Sequence, residues 1–237
     1  MAPPISLDYT APVKPFRPEE LLGPLNEHER VHAPAVLYAA GHRDWLLEAV
    51  PRVSIVGARQ ASPDGLRRAT KLATQLVEQG VTIVSGLAKG IDAAAHVAAL
   101  EREGRTIAVI GTPLTEVYPR EHRALQARLA TEHLVLSQFP PNSPVQRHNF
   151  PLRNRTMALI SHASVIVEAT ESSGSLSQGW EALRLGRPLF LARSVFDQGL
   201  QWPEQMMAYG AMVLEQVDDV LDVLPRSSVD DLLAAIA

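Results

Sequence analysis

From residue 53 onward the chain alternates two kinds of segment. Short apolar runs rich in β-branched residues stand at 53–58, 81–85, 106–110, 134–139, 165–169, 188–192 and 212–214. Between most of them the apolar positions recur with helical spacing. Residues 67–79, for example, place Ala69, Leu72, Ala73, Leu76 and Val77 on one face. Near-continuous apolar strands alternating with helices predict the α/β class: a doubly wound, mostly parallel sheet with helices on both faces.

The ends of the chain differ from this centre. Prolines at 3, 4, 12, 15 and 18 predict an extended arm over residues 1–18, followed by one short helix over 19–30 and a short strand over 35–40 (AVLYAA). Beyond Leu224, Pro225 interrupts the pattern, and residues 228–237 read as an acidic amphipathic stretch. The expected organisation is therefore an N-terminal extension over 1–50, a core over 51–225 and a short tail over 226–237.

Sheets of this class bind ligands at the carboxyl ends of their strands, so unusual residues should follow strands. They do. Gly57-Ala58-Arg59 follows the first run of the core, and Ser85-Gly86-Leu87-Ala88-Lys89-Gly90 the second. Gly111-Thr112-Pro113 and Glu171-Ser172-Ser173-Gly174-Ser175 follow later ones. The second of these turns sets a cation between glycines just before an alanine-rich helix. A helix N-terminus with outward N–H groups suits an anion, most often phosphate. No GxGxxG follows the first strand, and the Lys89 turn is not GxxxxGK[ST], which argues against an ordinary dinucleotide fold and a P-loop NTPase. Asp92 is placed to complement the helix dipole or to meet a ligand. His96, one turn on, is expected to pack or to bond Asp92 rather than to bind metal.

Charge narrows the choice. The chain has 237 residues, with 22 Lys+Arg against 26 Asp+Glu and a net charge of -4, so a polyanion site must be a local concentration of cations. Residues 146–155 (QRHNFPLRNR) supply one, gathering Arg147, His148, Arg153 and Arg155 around Phe150. Guanidinium groups beside a ring suit single-stranded nucleic acid, the cations tracking phosphates and the ring stacking on a base. The competing reading is a solvated loop with Phe150 tucked inward and an arginine capping a carbonyl or pairing with Glu168 or Glu171. Residues 118–123 (YPREHR) form another informative stretch. With no cysteine, disulfides and thiolate metal sites are excluded. No apolar run is long enough to span a bilayer and no signal peptide opens the chain, so a soluble cytoplasmic protein is expected. No GxSxG elbow is present, and neither a catalytic group nor a cofactor is indicated.

In order, IVGARQASPDG, IVSGLAKGIDAAAH, AVIGTPLTEVYPREHRAL, FPLRNRTMALIS and VIVEATESSGSLSQGWEALRLGRPLF resemble the DprA/Smf family of DNA-processing proteins, over roughly residues 31–224. The resemblance implies an extended Rossmann-like fold, sequence-independent binding of single-stranded DNA, recruitment of the RecA recombinase in natural transformation, and homodimers. Carried over by motif, the DNA groove comprises Gly57 and Arg59; Ser85, Gly86, Leu87, Lys89 and Gly90; and Phe150, Arg153, Asn154 and Arg155. Ser173, Gly174 and Ser175 share that edge, and Arg147 joins it by charge. The chain departs from the family in SGSLSQG for the usual SGSLITA, and in a tail too short for the winged helix many members carry. It also departs in residues 193–211, with Trp202, Met206 and Met207 as either an apolar anchor for a partner or core. A nucleotide-binding sensor or nucleoside-monophosphate phosphoribohydrolase-like enzyme is the alternative, although ESSGSLSQGWE is a poor substitute for the PGGxGTxxE of such enzymes.

Overall fold

The apolar runs assemble into one eight-stranded sheet in the computed structural model, which describes residues 14–225. The strands are β1 (Tyr38–Gly41), β2 (Arg52–Gly57), β3 (Thr82–Ser85), β4 (Thr106–Ile110), β5 (Leu134–Ser137), β6 (Ala163–Glu168), β7 (Leu189–Ala192) and β8 (Met212–Leu214). Their order is β1-β5-β4-β3-β2-β6-β7-β8, all parallel except β1, which runs antiparallel to β5.

Both faces of the central strands are buried, which is why they read as continuous apolar runs rather than alternating ones. Val53 and Ile55 of β2 pack in one core cluster with α3 (Pro63–Glu78) and α4 (Ile91–Glu101), while Val56 joins the cluster on the other face. α5 (Arg123–Glu132) and α9 (Val217–Leu221) lie on the α3–α4 side, and α6 (Asn149–Ile160), α7 (Ser175–Arg184) and α8 (Trp202–Ala208) cover the opposite side. α3 starts where Ser62 Oγ accepts the Gly65 N–H at 2.9 Å, with Pro63 in the first turn. It buries Ala69, Leu72, Ala73 and Leu76, as the spacing predicts, and leaves Val77 half-buried.

Several expectations need adjustment. The helix expected over 19–30 is two helices, α1 (Pro18–Leu22) and α2 (Glu27–His32), broken at Gly23-Pro24 where Gly23 takes φ +76° and the proline follows. The strand expected over 35–40 lies at Tyr38–Gly41, with Leu37 bridging back to Phe16. Trp202 and Met206 are 2% and 0% exposed, so they are core, and only Met207 reaches the surface. Leu21, Leu37 and Leu46 share a cluster with Val84 and Ile107, so the segment before β2 packs on the same sheet. The arm over 1–13 and the tail over 226–237 fall outside the described residues.

The order of the strands has one consequence for function. Successive strands build outward from β2 through β3 and β4 to β5, and the chain then returns to set β6 on the other side of β2. At such a reversal the connections leave β2 and β6 in opposite directions, and a crevice opens at their carboxyl ends.

Candidate nucleic-acid interface

That crevice has a volume of about 520 Å³. Its walls are the turn from Gly57 to Gln60, the first turns of α6, and the segment from Thr170 to Ser175. Arg59 is exposed at the mouth, its guanidinium 5.4 Å from the centre of the Phe150 ring. Tyr118 also packs against that ring, the two ring centres 5.3 Å apart and tilted. Gly111 permits this placement, since a Cβ there would stand 2.6 Å from Phe150 Cδ1. Arg147 is likewise exposed, and among the described residues neither it nor Arg59 has a carboxylate partner. Lys89 is exposed and paired with Glu121, whose carboxyl is held below its ordinary value chiefly by that hydrogen bond.

The Lys89 turn is built differently from the open anion cradle its sequence suggests. Asp92 Oδ2 accepts the N–H of Gly86 at 3.1 Å and that of Ala88 at 3.3 Å. The turn therefore spends these two amides on a carboxylate of its own helix. Burial pushes the Asp92 carboxyl up from its ordinary value, opposed by the charge of Arg153 and by the N–H groups of Ala88, Gly86 and Gly57. Arg153 comes from α6 on the other side of the sheet. It is 5% exposed, and its Nη1 donates to the Val109 carbonyl at 3.0 Å. Burial lowers its pKa and Asp92 raises it; a guanidinium stays protonated in either case.

The neighbouring residues serve the same frame. Ser85 is buried, its Oγ donating to the Ile55 carbonyl at 2.6 Å and so tying β3 to β2. Leu87 is 0% exposed and packs with Ala108, Ile110 and Leu129. It holds φ +58°, a conformation costing about 1 kcal/mol for a residue with a Cβ. His122 Nδ1 donates to its carbonyl at 2.9 Å. Gly90, at φ +75°, passes so close to Ala58 that a Cβ would lie 2.3 Å from the Ala58 carbonyl oxygen. Asn154 is buried and donates from Nδ2 to the Gly174 carbonyl at 3.1 Å, fixing the turn that contains Ser173 and Ser175.

The structure thus brings Gly57, Arg59, Phe150, Arg153, Asn154, Ser173, Gly174 and Ser175 to the crevice. The side chains of Ser85 and Leu87 are turned into the core, and Arg155 faces Glu181 at 3.5 Å. The pairings expected with Glu168 and Glu171 are not made by Arg153 or Arg155. Glu168 holds Ser62 and Arg68, and Glu171 accepts the Gln201 N–H. His96 bonds Thr106 Oγ1 at 2.7 Å rather than Asp92, because its ring points across to β4. Sequence reasoning passed over Gln60, Gln178 and the ring of Tyr118. Gln60 was within reach as the next residue of the Arg59 turn. Gln178, whose Nε2 donates to Ser54 and Ser164 at 3.2 Å each, carried no such signal.

The family model described as DNA recombination-mediator protein A matches residues 20–225. DNA processing protein DprA of Bacillus subtilis is 36% identical over 197 residues, which are 83% of this chain and 66% of that relative's length. Among solved structures, DNA processing protein A from Streptococcus pneumoniae superposes with a TM-score of 0.78 at 34% identity, covering 90% of this chain and 75% of that one. DNA processing protein A from Helicobacter pylori, a structure described for its unique single-stranded DNA binding mode, superposes with a TM-score of 0.76. At 23% identity, over 92% of this chain and 97% of that one, it supports the fold alone.

Proposed function

The chain belongs to the DNA recombination-mediator protein A family, and from that premise we propose that it binds single-stranded DNA without sequence preference and helps load the RecA recombinase on it. The observation that carries the reading is Arg59 over the Phe150 ring at the mouth of the crevice. A cation without a carboxylate partner takes a phosphate, and a ring beside it offers a base a face to stack on. Arg147 and Lys89 extend the positive track. The Lys89–Glu121 pair is exposed, and an exposed pair is weak enough for a phosphate to displace the carboxylate.

The same crevice favours a binding protein over a hydrolase. Asp92 is the one carboxylate among its lining residues, and it is engaged by the Gly86 and Ala88 amides. Hydrolysis of a nucleoside monophosphate would call for a carboxylate free to approach the sugar. In this reading the protein acts in the cytoplasm as a homodimer during transformation or repair. No described helix is long and apolar enough to cross a membrane.

Fluorescence anisotropy with a labelled oligonucleotide tests the reading, alongside chromatography of AMP incubated with the protein. Saturable binding to single strands of unrelated sequence, with AMP intact, is the expected result. Release of free adenine, or no binding at low salt, would contradict it.

A further inference from the structure

A second concavity lies outside the crevice, on the α3–α4 surface. It is a groove of about 580 Å³, with Leu66 and Thr70 of α3 on one wall and Ala93, Ala94 and Val97 of α4 on the other. Leu66 and Val97 are 37% and 41% exposed, on helices whose inner faces already fill the core. An apolar helix face of this kind is ordinarily covered.

The two ends of the groove carry opposite charge. Arg59 stands at one, beside Gly90 at the start of α4, and Glu101, the last residue of α4, stands at the other. Both residues are exposed, and among the described residues neither has a partner of opposite charge. Glu101 is also at the wrong end of its own helix. A carboxylate is disfavoured at a helix C-terminus, and the last turn of α4 has no basic residue to offset it. The N-terminus of α4, where Gly90 supplies no capping side chain, is where such an acid is favoured.

An antiparallel copy of α4 meets these demands together. Setting Val97 of one copy against Ala94 of the other sets Glu101, about one turn beyond Val97, against Gly90, about one turn before Ala94. A twofold axis repeats the match at the other end, so each Arg59 faces a Glu101 and each α4 N-terminus faces an acid. Ala93, Ala94 and Val97 are short enough for the two helix axes to come within about 8–10 Å. The pattern is complementary to itself, which singles out a second copy of this chain as the occupant.

We propose that two copies of this chain associate through their α3–α4 grooves, α4 against α4, and that this contact and a DNA strand exclude each other at Arg59. The second half of the proposal rests on the DNA-binding reading above. Arg59 and Gln60 line both the groove and the crevice, so an arginine held by the acid of the other copy is withdrawn from phosphate. The contact is therefore a resting state, distinct from any pairing of copies on DNA. By linkage, a strand that takes Arg59 loosens the contact by the same factor by which the contact weakens the strand.

The absence of cysteine makes the contact testable by disulfide trapping in the full chain. An equimolar mixture of Ala94→Cys and Val97→Cys proteins should form the mixed disulfide at least about tenfold faster than Val97→Cys mixed with Val31→Cys, through the higher effective concentration across a seated interface. Val31 is exposed on α2, which contacts α6 on the opposite side of the sheet. Glu101→Arg in both trapping proteins should slow the mixed disulfide at least about fivefold, and adding Arg59→Glu should restore it to within about twofold. Equal rates for the two mixtures, a rate indifferent to the charge reversal, or no recovery in the double reversal would overturn the contact.

Saturating oligothymidylate should slow the trapping of Ala94→Cys with Val97→Cys at least about fivefold. Glu101→Gln should tighten oligonucleotide binding about two- to threefold at micromolar protein, with no gain at nanomolar protein, where the copies are apart. Trapping that proceeds unchanged while anisotropy shows the strand bound would overturn the exclusion. No binding of the oligonucleotide at all would sink the DNA reading itself, and the trapping rates would still decide the contact.

Discussion

A Cβ placed on Gly86 would stand 1.3 Å from Nη1 of Arg153. Arg153 reaches across the carboxyl edge of the sheet from α6 to the Val109 carbonyl, and it can do so only where the Lys89 turn has no side chain. With Asp92 holding the amides of Gly86 and Ala88, the turn is closed by an internal acid and a buried arginine. Its rigidity serves the outward residues, Arg59 and Lys89, which are left to meet a polyanion.

Gly86→Ala should therefore act on stability first. It must displace a buried cation from its carbonyl partner, which costs about 3 kcal/mol. Urea unfolding checks this, and a variant with the parent's midpoint would show that Arg153 is not fixed in that place.

Phe150→Leu should leave the fold nearly intact while removing the ring beneath Arg59. Oligonucleotide affinity is expected to fall about five- to tenfold at constant salt, the scale of one lost stacking platform. An unchanged Kd would remove the ring from the interface and leave it a packing residue against Tyr118.

Glu121→Gln should tighten binding. The Glu121 carboxyl competes with phosphate for Lys89, so its neutral counterpart frees the cation. The gain is expected to be about two- to threefold at low salt and to vanish at high salt, because the pair is exposed and screened. Weaker binding by this variant would mean that Glu121 positions Lys89 for the strand.

Acid should weaken the fold through two histidines. Burial above all pushes His96 down to about 3 and His162 to about 4, from an ordinary value of 6.5. Both stay neutral in the fold where the unfolded chain takes up protons. The stability they contribute is thus present above pH 6.5 and is lost as the pH falls toward 4 and then 3. The free energy of urea unfolding should drop between pH 7.5 and pH 5, by up to about 1.4 kcal/mol per pH unit for each histidine, and His162→Gln should flatten that slope. A parent midpoint that is level across this range would contradict the assignment.

The sheet edge was legible in the sequence because glycines and small polar residues interrupt apolar strands only where the chain must turn. Arg59, Phe150 and the 173–175 turn could be placed there from the sequence alone. That Arg153 is the arginine that caps a carbonyl, as the competing reading of the basic run has it, could not be read there: only the approach of α6 to Gly86 and Val109, far apart in sequence, selects and buries it. Asp92 was recognised as a helix-start acid, but which amides it accepts depends on the backbone path through Leu87 at positive φ. Lys89 and Glu121 come from different connections, and no local pattern announces their pairing. The break between α1 and α2 was readable in Gly23-Pro24 and is an ordinary proline stop.

The most direct test of the account is a titration of one labelled single-stranded oligonucleotide and its duplex across a salt series, for the parent and for Arg59→Ala/Lys89→Ala. The parent should bind the single strand more tightly than the duplex, with log Kd rising steeply with log salt. The double variant should lose most of its affinity, and its salt slope should fall by about 1.4, roughly 0.7 for each phosphate contact removed. Equal affinity and equal slope in the two proteins would contradict the assignment of DNA to this edge of the sheet.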